Sequence, residues 1–310
     1  MLLPRNAGGR SAAVLAVACG RVSAFLGKSG HDCSCSCNRS PYPVRPRLRR
    51  SWASPTFRFS SPLPSFSDFS LLPSLKASLK EMDLHTPTDI QARAIPQLLK
   101  LRSLVAVAET GSGKTLAFVL PMLHHIKELE AADCPIVDPG RPRGLIIVPT
   151  RELGEQVGRV LKSLTHETRV RVRLAIGGTA KQVARQNVNG NFEILVATPG
   201  RLRQILAGRK VRLDDMRIVV MDEADQLLDA GFLPVVTKVV RDCPSASQLV
   251  MFSATMPKTL AAVVKDVFGE KPLMIETQGS NKVVRTLKTD NRDVPHGRRI
   301  EVLSKVIREH

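Results

Sequence analysis

The sequence predicts an α/β domain, a parallel β-sheet with helices packed on both faces. Three observations lead there. Six short runs rich in aliphatic and β-branched residues alternate with helix-length amphipathic segments. The runs are almost continuously apolar, as strands buried on both faces must be. Polar strings containing glycine or hydroxyl residues follow directly on several of them, and ligands of such sheets bind at the carboxyl ends of the strands.

Taken in order, the first strand is expected over residues 104–108 (Leu-Val-Ala-Val-Ala), with a helix over 114–129. The second strand is expected over 144–148 and its helix over 152–164. Runs 170–176 and 192–197 repeat the pattern, each followed by a helical stretch, and runs 217–221 and 249–252 complete the six. A helix over 257–268, a short strand, a polar stretch containing Gln278-Gly-Ser-Asn281 and an amphipathic segment over 296–310 close the chain.

Composition bounds the function. Hydrophobic residues are 43% of the 310, enough for a buried core and against a wholly disordered chain. No apolar run approaches the roughly 20 residues that span a bilayer, so a membrane protein is not expected. Forty-six Lys and Arg against 28 Asp and Glu give a net +18, which points to a polyanionic partner. Aromatics are only 4%, which disfavours recognition by base stacking on an aromatic platform.

The charge is uneven. Residues 1–60 hold ten basic side chains and one acid, Asp32, and are rich in Ser and Pro without helical or strand period. An acid-poor, Arg- and Ser-rich N-terminus matches an organelle transit segment, plastid or mitochondrial. The apolar stretch Ser11–Gly20 reads alternatively as a signal-peptide core, or as the first part of a bipartite plastid presequence. A disordered basic tail adding weak RNA affinity is the remaining reading, with a nuclear, nucleolar or cytoplasmic location. Four of the six cysteines lie in this arm, three in Cys33-Ser-Cys35-Ser-Cys37. Zinc pairs are usually spaced by two to four residues and followed by a second pair, so a metal site is not expected there. Cys134 and Cys243 read as ordinary reduced thiols.

The chemistry sits after the strands. Ala108-Glu109-Thr110-Gly111-Ser112-Gly113-Lys114-Thr115 follows the first strand and opens a helix. Its glycines let successive N–H groups turn inward onto phosphate oxygens. Lys114 offers a charge to the β- and γ-phosphates, the Thr115 hydroxyl a ligand to Mg²⁺, and the helix its positive end. Asp222-Glu223-Ala224-Asp225 follows another strand. One carboxylate there can hold Mg²⁺, usually through its waters, and a second can deprotonate an attacking water.

With these two motifs stand Pro87-Thr-Asp-Ile-Gln91, Pro149-Thr150-Arg151-Glu-Leu153, Gly177-Gly178, Thr198-Pro199-Gly200-Arg201 and Ser253-Ala-Thr255. In this order the set resembles the DEAD-box ATP-dependent RNA helicases, over roughly Phe66 to Glu276. The resemblance implies a RecA-like domain over 61–276, ATP and Mg²⁺ as cofactors, and RNA held mainly through its phosphate backbone. It implies catalysis by Lys114, Asp222 and Glu223, with Mg²⁺ at Thr115 and Asp222. The nucleotide site would also include Phe66, Leu84, Thr86, Gln91 and Glu109 to Thr115. Gln91 would read the adenine edge and Phe66 would stand at the upstream aromatic position. Leu84 stands where the family has an aromatic that stacks on the base, and Asp83 where it usually has glycine. RNA would be met by Pro149, Thr150, Arg151, Gly177, Gly178 and Thr198 to Arg201. Helix N-termini with hydroxyls, amides and an arginine bind phosphate rather than base, so sequence-independent contact follows. Asp225, Ser253 and Thr255 would couple ATP state to RNA grip.

The resemblance also implies a second RecA-like domain with an H-R-x-G-R string, whose arginines complete the ATP site. No such string occurs, and His296-Gly-Arg-Arg299 has different spacing. Residues 277–310 read as a linker and the start of a truncated second domain, the remainder coming from another molecule or a longer chain. The competing functional reading is a non-catalytic ATP- and RNA-binding module. An unrelated P-loop ATPase is disfavoured by the PTREL and TPGR strings.

Overall fold

The computed structural model describes residues 64–132, 136, 138–178, 188–268, 272–277 and 299–309. The arm over 1–60, the Cys33–Cys37 string, Cys134, the helical stretch expected after 176 and the Gln278–Asn281 stretch lie outside the described residues.

Seven strands form one parallel sheet: β1 (Leu104–Val107), β2 (Gly144–Ile147), β3 (Val172–Ala175), β4 (Ile194–Ala197), β5 (Ile218–Met221), β6 (Gln248–Ser253) and β7 (Leu273–Glu276). Their spatial order is β3-β4-β2-β5-β6-β1-β7. The six expected strands are present, and the short one after them is β7, paired with β1 at the edge. The strands are a residue or two shorter than their apolar runs in most cases, because pairing outlasts regular strand geometry. Ala108 N–H still donates to Ser253 O (3.0 Å), and Val148 N–H to Ala197 O (3.1 Å).

The helices are α1 (Pro73–Glu81), α2 (Asp89–Leu98), α3 (Lys114–Ala131), α4 (Arg151–Thr168), α5 (Pro199–Ala207), α6 (Ala224–Asp229), α7 (Leu233–Asp242), α8 (Lys258–Phe268) and α9 (Arg299–Glu309). Alternation along the strands separates two cores. Leu104, Ala106, Ile146, Val220 and Phe252 pack beneath helices α1 to α4. Val105, Leu145, Ile147, Val219 and Met251 pack on the other face, beneath α5 to α8. Phe118 of α3 meets Phe252 with ring centroids 5.5 Å apart. Helix α9 is the expected amphipathic closing segment, and its Ile300, Leu303 and Ile307 are solvent-exposed. Among the described residues no helix is long and apolar enough to cross a membrane.

The end of α1 shows why glycine would suit position 83. Asp83 N–H donates to Lys80 O (3.1 Å) and Leu84 N–H to Leu79 O (2.9 Å). This pair of bonds closes a helix with its next residue left-handed. Asp83 takes that conformation at φ +57°, a region costly for residues with a Cβ, although Asp and Asn tolerate it best. Asp83→Gly is therefore expected to raise stability by about 0.5 kcal/mol, the relief of strain exceeding the added unfolded-state entropy. Urea unfolding checks this; a lower midpoint for the variant contradicts it.

Candidate nucleotide and nucleic-acid site

Parallel pairing gathers the motifs along one edge. Val107 of β1 is level with Ser253 of β6, Met221 of β5 with Met251, and Ile147 of β2 with both Met221 and Ala197. The loop over 108–113, the acidic motif and the Ser-Ala-Thr string thus leave three adjacent strands, β1, β5 and β6. The Pro-Thr-Arg, Gly-Gly and Thr-Pro-Gly-Arg strings leave the other half of the sheet, β2, β3 and β4.

The loop is shaped from within. Gly113 caps α3 at φ +90°, and a Cβ there would lie 2.5 Å from Gln91 Nε2. Lys114, 7% exposed, folds back to donate to Ala108 O (3.0 Å). Ser112 Oγ donates to Glu109 O at 2.7 Å. Thr110 and Gly111 are exposed, while Glu109 and Thr115 are half-buried.

Gln91 is tied to this loop. Its Oε1 accepts from Thr88 N–H (2.9 Å) and its Nε2 donates to Gly113 O (2.9 Å). The expected reader of the base is thus 3% exposed, with each end of its amide already bonded inside the protein. One amide hydrogen and one lone pair remain for a ligand. Thr88, the second residue of the Pro87–Gln91 string, caps α2 in a reciprocal box with Gln91. The Thr-x-x-Gln spacing carries that signal. Phe66, expected at the upstream aromatic position with Phe69 close enough to compete, is 4% exposed and packs edge-on against Phe69 with centroids 6.0 Å apart. The short helix carrying it is tied down by Phe66 N–H to His85 O (3.1 Å). Leu84 is half-buried against the same core, and Thr86 is exposed.

The acidic motif faces Lys114. Asp222 is 2% exposed and accepts from Glu223 N–H at 3.0 Å. Burial pushes its pKa up to about 6, with Lys114 pulling the other way. Burial also raises Glu223, again opposed by Lys114. Glu223 sits in the left-handed region at φ +49°, a strained conformation for a residue with a Cβ, and it begins α6. A buried carboxylate held beside one lysine is the kind of group a divalent cation compensates, so Asp222 is chemically suited to Mg²⁺.

The third string joins these parts. Ser253 is fully buried, and its Oγ accepts from Asp225 N–H (3.2 Å) while its carbonyl accepts from Ala108 N–H (3.0 Å). Asp225 Oδ2 accepts from both the backbone N–H and the hydroxyl of Thr255, each at 2.9 Å. The phosphate loop, the acidic motif and the closing string are one hydrogen-bonded unit.

On the other half of the sheet, Thr150 caps α4 and accepts from Leu153 N–H (3.3 Å). Arg151 pairs with Glu155 at 2.7 Å and lies across Gly178, where a Cβ would come within 2.1 Å of its guanidinium. Gly178 is itself left-handed at φ +83°. Thr198 precedes α5, Pro199 is buried in its first turn, and Arg201 donates to Gln204 Oε1 (2.8 Å). Pro149, Gly177 and Gly200 are half-buried. Two helix N-termini with arginines therefore share one edge.

This sheet, with its loop and acidic motif at the carboxyl ends, defines a RecA-like P-loop domain. The sequence matches the family described as DEAD/DEAH box helicase over residues 88–263, more than half of the chain, and the chain belongs to that family. It is 41% identical over 208 residues to the pre-mRNA-processing ATP-dependent RNA helicase PRP5 of Pyricularia oryzae, covering 66% of this chain and 20% of that one. It is 37% identical over 209 residues to the probable ATP-dependent RNA helicase DDX46 of Danio rerio, again 66% and 20%. The chain thus spans about a fifth of the length of these curated relatives. A crystal structure of a DEAD box protein from Methanococcus jannaschii matches with a TM-score of 0.62 and 27% identity, covering 78% of this chain and 63% of that one.

Proposed function

We propose that this chain supplies the ATP- and RNA-binding half of an ATP-dependent RNA helicase, in which RNA-stimulated hydrolysis drives duplex unwinding or remodelling. The observation that carries the reading is the bonded unit of loop, acidic motif and Ser-Ala-Thr string, with Lys114 facing Asp222 and Glu223. Lys114 and the loop amides over 109–113 bind the phosphates. Thr115 and Asp222 would hold Mg²⁺, which when bound would neutralise charge on the phosphates. Glu223 takes the proton of the attacking water. Gln91, Thr86 and the exposed part of Leu84 flank the base, with Phe66 supporting them from the core. Asp225, Ser253 and Thr255 pass the state of this site to the RNA residues. Those are Pro149, Thr150, Arg151, Gly177, Gly178 and Thr198 to Arg201, holding the phosphate backbone. In this reading residues 61–276 are the first RecA-like domain and 277–310 lead into a second. That second domain, or a protein cofactor, completes the ATP site.

Two measurements on the 310-residue chain test it. It is expected to bind Mg·ATP weakly and hydrolyse it slowly, since no H-R-x-G-R string is present to stabilise the transferring phosphoryl group. It is expected to bind unrelated single-stranded RNAs alike, with affinity falling as salt rises. Arg151→Ala and Arg201→Ala should each lower the log–log salt slope by about 0.7. Base-selective binding, or slopes unchanged by both substitutions, contradicts the assignment. Residues 1–60 are proposed to direct the chain to an organelle. A reporter fused to residues 1–65 should then leave the cytosol, and one that stays there argues against targeting.

A further inference from the structure

Just past the middle of α3, three side chains converge. His124 Nε2 lies 3.3 Å from Glu128 Oε1, and His125 Nδ1 lies 3.2 Å from Glu128 Oε2. Candidate ligand atoms of all three residues fall within 4.8 Å of one another. His124 follows Lys114 by ten positions, which at 1.5 Å per residue puts the cluster about 15 Å along the helix from the loop. It is separate from the nucleotide site.

The hydrogen bonds around the cluster determine what it presents. His125 Nε2 is 3.0 Å from Leu98 O, a carbonyl that also accepts from Gln248 Nε2 at 3.1 Å. A carbonyl has no hydrogen to give, so Nε2 is the donor. In a neutral ring the lone pair then belongs to Nδ1, and Nδ1 points at a carboxylate oxygen. Two acceptors face each other, an arrangement that needs a cation or a proton between them. The neighbouring ring is also incompletely bonded: His124 Nδ1 is buried and has no hydrogen-bond partner. An imidazole that donates one N–H to a backbone carbonyl and offers the other nitrogen is the usual setting of a metal-binding histidine. The 3.3 and 3.2 Å spacings run to the two different oxygens of Glu128, and the ligand atoms all lie within 4.8 Å of one another. A tetrahedral ion with ligands at about 2.0–2.2 Å holds neighbouring ligand atoms about 3.3–3.6 Å apart, so a small side-chain rotation brings the three onto one ion. The His125 side chain is 4% exposed and His124 12%, while Glu128 is 47% exposed. The two imidazoles are therefore held in place and the carboxylate side opens to solvent.

We propose that His124, His125 and Glu128 form a divalent transition-metal site of the zinc class, ligated through His124 Nε2, His125 Nδ1 and a Glu128 carboxylate oxygen, with water completing the shell. Two nitrogens and one oxygen suit zinc better than Mg²⁺ or Ca²⁺, which take oxygen ligands.

The experiment uses the untagged 310-residue chain, zinc alone as probe, and competition with a chromogenic chelator. One zinc per chain is expected, and His124→Gln and Glu128→Gln should each weaken it about tenfold or more. Glu128 reaches solvent and His124 is partly buried, so Glu128→Gln is the variant least able to disturb the fold, and thermal melts control for both. The buried His125 is left in place. Replacing Cys33, Cys35 and Cys37 together by serine should leave this zinc bound. Co²⁺ in place of zinc should give visible ligand-field bands without a thiolate charge-transfer band. Zinc that survives both His124→Gln and Glu128→Gln, or that vanishes in the cysteine variant, overturns the proposal. So does failure to bind at micromolar zinc, which would mean that a proton on His125 bridges to Glu128.

Discussion

Lys114→Ala is expected to weaken Mg·ATP binding by about 10- to 100-fold, the loss of a charge-assisted contact to phosphate. The same change takes away the cation that opposes burial at Asp222 and Glu223, so both carboxyls should become harder to ionise. In a chain that carries the second domain, Glu223→Gln should leave ATP affinity within a few-fold and lower single-turnover hydrolysis by about 100- to 10,000-fold, the usual worth of a positioned base. Glutamine keeps the size of the side chain and removes its basicity. Titration with a fluorescent nucleotide and single-turnover hydrolysis at saturating ATP separate the two effects. Equal loss of affinity in both variants would mean that Glu223 holds the nucleotide rather than a proton.

Asp222→Asn should make the nucleotide-free chain more stable and disable it. The Asp222 carboxyl has a pKa of about 6, above its ordinary 3.8. Above pH 6 the folded chain keeps a buried carboxylate ionised, at a cost the unfolded chain does not bear. As pH falls from 6 towards 4, the folded state binds a proton that the unfolded state does not, and the cost disappears. The shift corresponds to about 3 kcal/mol at neutral pH. Asparagine can still accept from Glu223 N–H and carries no charge, so a gain of about 2–3 kcal/mol is expected at pH 7.5, shrinking to nothing near pH 4. Mg·ATP binding should fall at least tenfold in the same variant, because a neutral amide holds a hydrated cation poorly. Denaturant unfolding across pH, with and without Mg·ATP, reads both effects. A variant less stable than wild type at pH 7.5 would show that Asp222 is held by contacts stronger than its burial cost.

Much of this was legible before any coordinates. The strands were, because runs such as Leu145-Ile146-Ile147 and Ile218-Val219-Val220 are buried on both faces and so carry no polar interruption. The motifs were, because loop, acid and hydroxyl strings each begin where a strand stops. What escaped depends on tertiary packing. The burial of the Phe66 ring against Phe69 is one such feature, since spacing alone does not announce it. The bonding of Gln91 to Gly113 joins residues 22 positions apart, and no local pattern announces it. The left-handed backbone of Glu223 is likewise invisible, since acidic residues are common at helix starts whatever their φ. The His124–Glu128 cluster reads in sequence as a stretch of ordinary helix. Only Leu98 O, brought in by α2, determines which nitrogen of His125 is free.

The place of β1 in the sheet has a consequence for how the protein is made. Its strand neighbours are β6 and β7, so Leu104 pairs with Val250 and Leu273. Ala108, which opens the phosphate loop, is held by the carbonyl of Ser253. A ribosome releasing this chain from its N-terminus therefore emits the loop early and its supports some 145 residues later. Until then β1 is an apolar strand with two bare edges, the form most apt to pair wrongly. Helices α1 to α4, which cover one face of the sheet, all emerge before that point and can shelter the strand while it waits. The phosphate loop is thus made well before the strands that shape it, so ATP can stabilise the nascent domain only once β6 has docked.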